Sequence, residues 1–305
     1  MGVLHHYILF IFSFFIPWLH IQSSLEIKEK LLIVGCGKLG QKVGNVLSKK
    51  FDITGIKRKK LNKVINFNIL ELNIFNKEFA KKIKLINPDY IIYAVAADKQ
   101  TKDSYQDAYV NGLRLSIDAA LMCEKMKHFF FISSSRVYGQ KTNNFMSELT
   151  KPLPNDFGGR ALLKGEQLLE NTPLSSTTLR LSGIYGNTRS HMLKLAKNLE
   201  DWPDSNRWTN RIHEDDVTNF ISYILDKVNE MPIEPLYLLT DNVPTPIYDV
   251  LNWIRSELNL PIHQKISQEK LYGKKLRSKI VPELSFDFTY SDYRNGYTSI
   301  VDYNK

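Results

Sequence analysis

The sequence predicts an α/β fold, a doubly wound parallel sheet with helices on both faces, and three observations carry that prediction. A short apolar run, Leu31-Leu32-Ile33-Val34, turns at once into Gly35-Cys36-Gly37-Lys38-Leu39-Gly40, as a first buried strand does when it bends sharply into a helix. Further strand-like apolar runs recur down the chain, joined by helical stretches of about a dozen residues. The 305 residues, 43% of them hydrophobic, can bury one large core and carry a modest second lobe.

The elements follow in order. After Gly40, the apolar residues Val43, Val46 and Leu47 fall at helical spacing, and Asp52-Ile53-Thr54-Gly55-Ile56 reads as a second strand. Asn87-Pro88-Asp89 breaks a helix before the buried run Tyr90-Ile91-Ile92-Tyr93-Ala94-Val95-Ala96, and Lys127-His128 leads into Phe129-Phe130-Phe131-Ile132. Helices are expected over Leu113 to Lys125 and Ala161 to Glu170, with Thr177 to Leu181 as a sixth strand. After Gly186 the alternation loosens and Pro232, Pro235, Pro244 and Pro246 gather. The remaining helices read as a smaller lobe over the carboxyl ends of the strands. The expected division is therefore a hydrophobic extension over 1–28, a first domain over 29–186, and a second lobe over 187–305, partly interleaved with the first.

The extension itself is ambiguous. Tyr7 to Ile16 is aromatic and aliphatic, but Pro17, His20 and Gln22 interrupt it before the roughly 20 apolar residues that a membrane span needs. A signal peptide would normally open with cations, and no Lys or Arg precedes this run. An extension outside the working protein is the third reading. The expected location is cytoplasmic, with membrane tethering through residues 7–21 as the alternative. The only cysteines are Cys36 and Cys123. A disulfide at Cys36 would obstruct the glycine loop, so a reducing compartment is expected. The formal charge of +9 is spread along the whole chain without aromatic interleaving. This argues against a nucleic-acid partner and for a surface suited to anionic ligands.

The glycine loop predicts a dinucleotide site. Gly35 permits the tight turn, Gly37 lets the backbone approach a pyrophosphate, and Gly40 lets helix and strand pack closely. Lys38 and Leu39 complete the loop, whose N–H groups and helix dipole favour negative charge. The end of the second strand bears on which dinucleotide. An NAD site usually has a carboxylate there for the ribose 2′-hydroxyl, whereas a 2′-phosphate needs cations. Here the residues are Lys57-Arg58-Lys59-Lys60, with no carboxylate between Thr54 and Leu70. NADP is therefore favoured, with NAD as the alternative, Arg58 as a planar clamp on phosphate and Lys57 as its helper. The competing reading of the run is a solvated turn.

Four further segments complete the pattern: Tyr109-Val110-Asn111-Gly112, Ser133-Ser134-Ser135-Arg136-Val137-Tyr138-Gly139, Leu179-Arg180-Leu181-Ser182-Gly183-Ile184-Tyr185-Gly186, and Arg211-Ile212-His213-Glu214-Asp215-Asp216-Val217. Together with the glycine loop, and in this order, they resemble the extended short-chain dehydrogenases/reductases, the NAD-dependent epimerase/dehydratase group, from residue 31 to about 300. The resemblance implies a Rossmann-type fold with a smaller C-terminal substrate lobe, a dinucleotide under the glycine loop, and a nucleotide-sugar or similar small molecule in the cleft. A homodimer is compatible with it, and no metal site is expected. It places Ser134 where the catalytic Ser or Thr lies, donating to the reacting oxygen; the competing reading is a strand-end serine that caps local backbone. Asn111 matches a structural asparagine near the site. Ala94, Val95, Ala96 and Ser133 are expected to contact the dinucleotide. Tyr138 and Tyr185 are expected to pack beside the cleft, and His213 to be a structural or capping element.

The resemblance breaks at the family's Tyr-x-x-x-Lys pair, in which a neighbouring ammonium lowers the phenol's pKa for proton transfer. In Asp156-Phe157-Gly158-Gly159-Arg160-Ala161-Leu162-Leu163-Lys164-Gly165-Glu166, alignment on Glu166 puts Gly158 at the tyrosine and Leu162 at the lysine. Tyr223 and Lys227 have the spacing, but they follow the His213 segment and are expected on an outer helix. Two readings remain. One is an NADP-dependent oxidoreductase or nucleotide-sugar-modifying enzyme using another acid, with Ser134, Tyr138, Arg160 or Lys164 as polar groups in the cleft. The other is a dinucleotide-binding protein without turnover, a sensor or assembly module.

Overall fold

In a computed structural model that describes residues 28–59, 64–140, 142, 144–189, 191–263 and 271–303, seven parallel strands form the central sheet. They are β1 (Lys30–Val34), β2 (Asp52–Lys57), β3 (Asn68–Glu71), β4 (Tyr90–Tyr93), β5 (His128–Ser134), β7 (Ser176–Leu181) and β11 (Leu236–Leu239). Their spatial order is β11-β7-β5-β4-β1-β2-β3. The chain winds outward from β1 one way and returns beside it as β4, so the two halves diverge at the carboxyl ends of β1 and β4. That divergence opens the crevice in which such sheets bind ligands. Gly35 lies at its floor.

Strand alternation divides the core. Leu31 and Ile33 face a layer containing α1 (Lys38–Leu47) and α7 (Glu214–Lys227), while Leu32 and Val34 face α2 (Phe79–Ile86) and α4 (Gly112–Ala120). Phe129, Phe130 and Phe131 are wholly buried on both faces, which is why this strand is a continuous apolar run rather than an alternating one. α5 (Phe157–Glu170) covers the end of the sheet nearer β7, and α3 (Lys102–Gln106) leads through a wide π-type turn, Asp107–Asn111, into α4.

Three boundaries differ from expectation. β4 stops at Tyr93; Ala94 still donates to Val34 O at 2.8 Å, then the chain leaves the sheet. The expected helix over Leu113 to Lys125 is shorter, ending at Ala120, because Leu121 onward must turn back toward β5. α5 begins four residues before Ala161, at Phe157, with the Asp156 carboxylate accepting from Gly159 N at 2.7 Å. β3 and β11 carry no distinct sequence signal, being four-residue strands at the two edges.

The second half contributes β8 (Gly183–Tyr185) and β10 (Arg211–His213), paired in parallel, and the helices α6 (His191–Lys197), α8 (Ile247–Glu257) and α9 (Tyr293–Tyr303). They enclose a separate aromatic cluster of Tyr185, Trp202, Tyr248, Tyr293 and Tyr297. Two short pairs, β9 (Trp208–Thr209) with β12 (Thr245–Pro246) and β6 (Phe145–Met146) with β13 (Lys275–Leu276), tie the connecting loops down. Neither Cys36 nor Cys123 forms a disulfide. Among the described residues no helix is long and apolar enough to cross a membrane. The run over residues 7–21 and the rest of the extension before Lys28 lie outside the described residues, as does Lys60.

Candidate active site

A cavity of about 470 Å³ opens at the divergence of β1 and β4. It brings together Gly35, Gly37, Lys57, Arg58, Ala94, Val95 and Ala96. Three strands deliver these residues, so the sheet order rather than any local sequence makes the site. Gly35 has φ +88°, and a Cβ there would sit 2.5 Å from Val95 N; only glycine allows the β1 turn to lie this close to the chain leaving β4. Gly40 is needed for packing, since a Cβ would come within 3.0 Å of Ile33 and 3.2 Å of the Gly35 carbonyl. At Gly37 the opposite holds. Its nearest neighbour would be Gly35 O at 4.0 Å, so the space above it is left for something else. Gly37 is the N-cap of α1, no side chain caps that helix, and its dipole points into the cradle. These features fit a dinucleotide pyrophosphate.

The other expected contacts lie around this cavity rather than on its lining. Lys38 reaches across to Thr188 O at 2.8 Å, and Leu39 packs against the core. Asn111 donates to Asp107 at 2.9 Å within the π-type turn. Arg58 is engaged already: its guanidinium donates through both Nη atoms to Asp98, each at 2.6 Å.

At the carboxyl end of β5 the two serines point to opposite sides. Ser133 is buried and donates to Glu166 at 2.5 Å. Ser134 is half-buried, and its hydroxyl accepts from Arg136 N at 3.2 Å, closing the short turn Ser135–Val137. Tyr138 is buried, donating to Ser147 O at 2.8 Å while accepting from Arg180 at 2.7 Å. Burial raises its phenol above the ordinary range, so it packs rather than titrates. His213 accepts from Asp215 N at 3.2 Å and lies between Tyr185 and Tyr290. Its pKa is lowered by burial, and it caps α7.

Arg160 and Lys164 are exposed, and Lys164 lies with Arg114 and Asn171 in a shallow groove on α4 and α5. α5 runs from the carboxyl toward the amino end of the sheet, so this groove is remote from the crevice. Gly158 and Leu162 are both buried. Leu162 packs with Val137, Tyr138, Leu238 and Leu276. A Cβ at Gly158 would lie 2.5 Å from the Arg136 guanidinium carbon, so that guanidinium occupies the space beside the helix. It is held by Asp156 at 3.0 and 3.1 Å, by Gln100 at 3.1 Å and by Tyr105 at 2.6 Å. Tyr223 and Lys227 lie on α7, where Lys227 pairs with Glu230.

One polar group beside the turn after β5 was invisible in the sequence. Lys274, from the second half of the chain, donates to the carbonyls of Ser135 and Tyr138. Burial is the main cause pushing its ammonium down to about 8. Nothing local marks it, because it lies 139 residues from Ser135 in the chain and only folding joins them.

The chain belongs to the NAD dependent epimerase/dehydratase family, whose sequence profile matches residues 31–239. It is 33% identical to a protein of Methylobacillus flagellatus described as an NAD-dependent epimerase/dehydratase, over 90% of this chain and 98% of that one, with a TM-score of 0.82. A UDP-N-acetylglucosamine 4-epimerase from Methanobrevibacter ruminantium, solved with UDP-N-acetylmuramic acid, shares 16% identity over 91% of this chain and 98% of its own, with a TM-score of 0.72. A UDP-glucuronic acid 4-epimerase from Bacillus cereus, solved with NAD, shares 21% over 90% and 96%, with a TM-score of 0.69. The last two speak for the fold. No protein of curated function matches the chain in sequence.

Proposed function

We propose that this protein is an oxidoreductase that modifies a nucleotide-sugar or similar small molecule with a bound nicotinamide dinucleotide, NADP being preferred to NAD. The observation that carries the reading is the cavity itself, where the open cradle above Gly37 and the cations Lys57 and Arg58 share one wall-to-wall site. A bound dinucleotide would supply the redox chemistry. Gly35, Gly37 and the N-terminus of α1 would hold its pyrophosphate, Ala94 to Ala96 would close the opposite side, and Lys57 and Arg58 would face the 2′-phosphate. Ser134 would donate to the oxygen on which charge develops, since it ends a buried strand beside the crevice.

The reaction would run without the family's phenol and ammonium. Support comes from Gly158 and Leu162, and from the pinned Arg136 guanidinium that fills the space a side chain at 158 would need. The same observation favours a second reading, in which the protein binds the dinucleotide without turnover. Calorimetric titration with NADPH and NADH tests the binding reading, and its failure with both would remove it. Turnover of UDP-glucose and UDP-N-acetylglucosamine then separates the two readings. Loss of acid–base help is worth about 10²- to 10⁴-fold, so a slow reaction is expected, slower still in Ser134→Ala. Ordinary enzymic rates that do not fall in Ser134→Ala would refute both the missing-pair reading and the role given to Ser134.

A further inference from the structure

The basic end of the cavity contains a carboxylate that β2 does not supply. Asp98 follows β4 and Arg58 follows β2, the strands on either side of β1, so their loops face each other across the mouth of the crevice. Both residues line the cavity together with Lys57 and Ser104. The contact is two-pronged, each Nη meeting its own carboxylate oxygen at 2.6 Å. The two partners differ in how they are held. Asp98 N and Lys99 N both donate to Ser104 Oγ, at 3.0 and 3.2 Å, and Thr101 caps the helix that carries Ser104. Arg58 is a long side chain one residue beyond the end of its strand. Each side chain is a little over half exposed, 57% and 56%, so solvent and ligand both reach the pair, which can exchange partners without disturbing the core.

A phosphate and a carboxylate present the same two-pronged acceptor to a guanidinium. One edge of Arg58 cannot serve both. We propose that Asp98 sets the choice between NADP and NAD: it competes with the 2′-phosphate for Arg58 and so limits the NADP preference that Lys57 and Arg58 would otherwise confer. The inference rests on the reading of this cavity as the dinucleotide site.

The test is Asp98→Asn, which keeps the backbone bond to Ser104 and removes the charge. Kd values for NADPH and NADH are measured by calorimetry at low ionic strength on the full chain, with melting curves to show that both proteins are folded. The ratio of NADH Kd to NADPH Kd is expected to rise about tenfold in the variant, almost wholly through tighter NADPH. Adding Arg58→Ala to Asp98→Asn should cancel the gain. An unchanged ratio, or a gain that survives the loss of Arg58, overturns the role given to Asp98 while leaving the dinucleotide site intact. Absence of binding by either dinucleotide, in parent and variant alike, overturns the cavity reading and this inference with it.

Discussion

A side chain at position 37 would approach nothing of the protein closer than 4.0 Å, whereas one at position 35 would meet Val95 N at 2.5 Å. The two positions therefore differ, one facing open space and the other demanding glycine for chain packing. Gly37→Val is expected to melt within about 1 kcal/mol of the parent, the scale of a helix-cap change. It should nonetheless lose NADH and NADPH binding in a calorimetric titration, because the new methyls fill the cradle. Retained affinity would mean that the pyrophosphate lies elsewhere. The glycine turn was legible from sequence because G-x-G-x-x-G follows an apolar run and opens a helical pattern. The pairing of Arg58 with Asp98 was not, because it joins loops 40 residues apart.

At the scale of the element, α5 and β7 are locked by a buried ion pair. Arg180 donates to Glu166 through Nε at 3.0 and 3.1 Å and through Nη2 at 2.6 Å, and its remaining arm reaches Tyr138. The two side chains are only 6% and 8% exposed. Removing one charge leaves the other stranded, which typically costs about 3–5 kcal/mol. Glu166→Gln is expected to lower stability on that scale in urea unfolding. It should also loosen the β5 end, since Ser133 donates to the same carboxylate. A loss under about 1 kcal/mol would show that the pair is dispensable. The buried stripe Ala161, Leu162, Gly165, Glu166, Leu169 was readable as a helix face. The helix start was not, because Gly158 and Gly159 argue against a helix locally. They are accepted because the Arg136 guanidinium packs on one and the Arg136 carbonyl would lie 2.6 Å from a Cβ on the other.

Across the whole molecule, the second half completes the sheet of the first. β11 pairs in parallel with β7, from Leu236 opposite Thr178 to Leu239 opposite Leu181. Two residues beyond it, Asp241 is buried, donating its backbone N–H to Arg211 O at 2.9 Å. One carboxylate oxygen accepts from Val243 N at 3.1 Å, and the other has no hydrogen-bond partner. Burial pushes its pKa up from 3.8 to about 7. The folded state thus binds more protons than the unfolded state between these values, so this group's contribution to stability falls as pH rises from about 4 to 7. Asp241→Asn keeps the bond from Val243 and removes the buried charge. Its advantage over the parent is expected to be absent below pH 4, to grow through this window at about 1 kcal/mol per pH unit, and to level off above pH 7. Chemical denaturation at a series of pH values measures it. An advantage independent of pH would show that Asp241 does not titrate in this range.

The sequence by itself determined the class of fold, the position of the glycine turn after β1 and the family, because each depends on short-range patterns. A short apolar run that ends in a glycine turn and is followed by apolar residues at helical spacing reads as a buried strand entering a helix. The tertiary structure alone decided which charges meet. Asp98 reaches Arg58, Arg136 fills the space beside Gly158, and Lys274 crosses from the second half of the chain to the turn after Ser134. None of these meetings has a local signature. Electrostatic and steric contacts act through space, and sheet order, not chain order, sets what lies near the crevice.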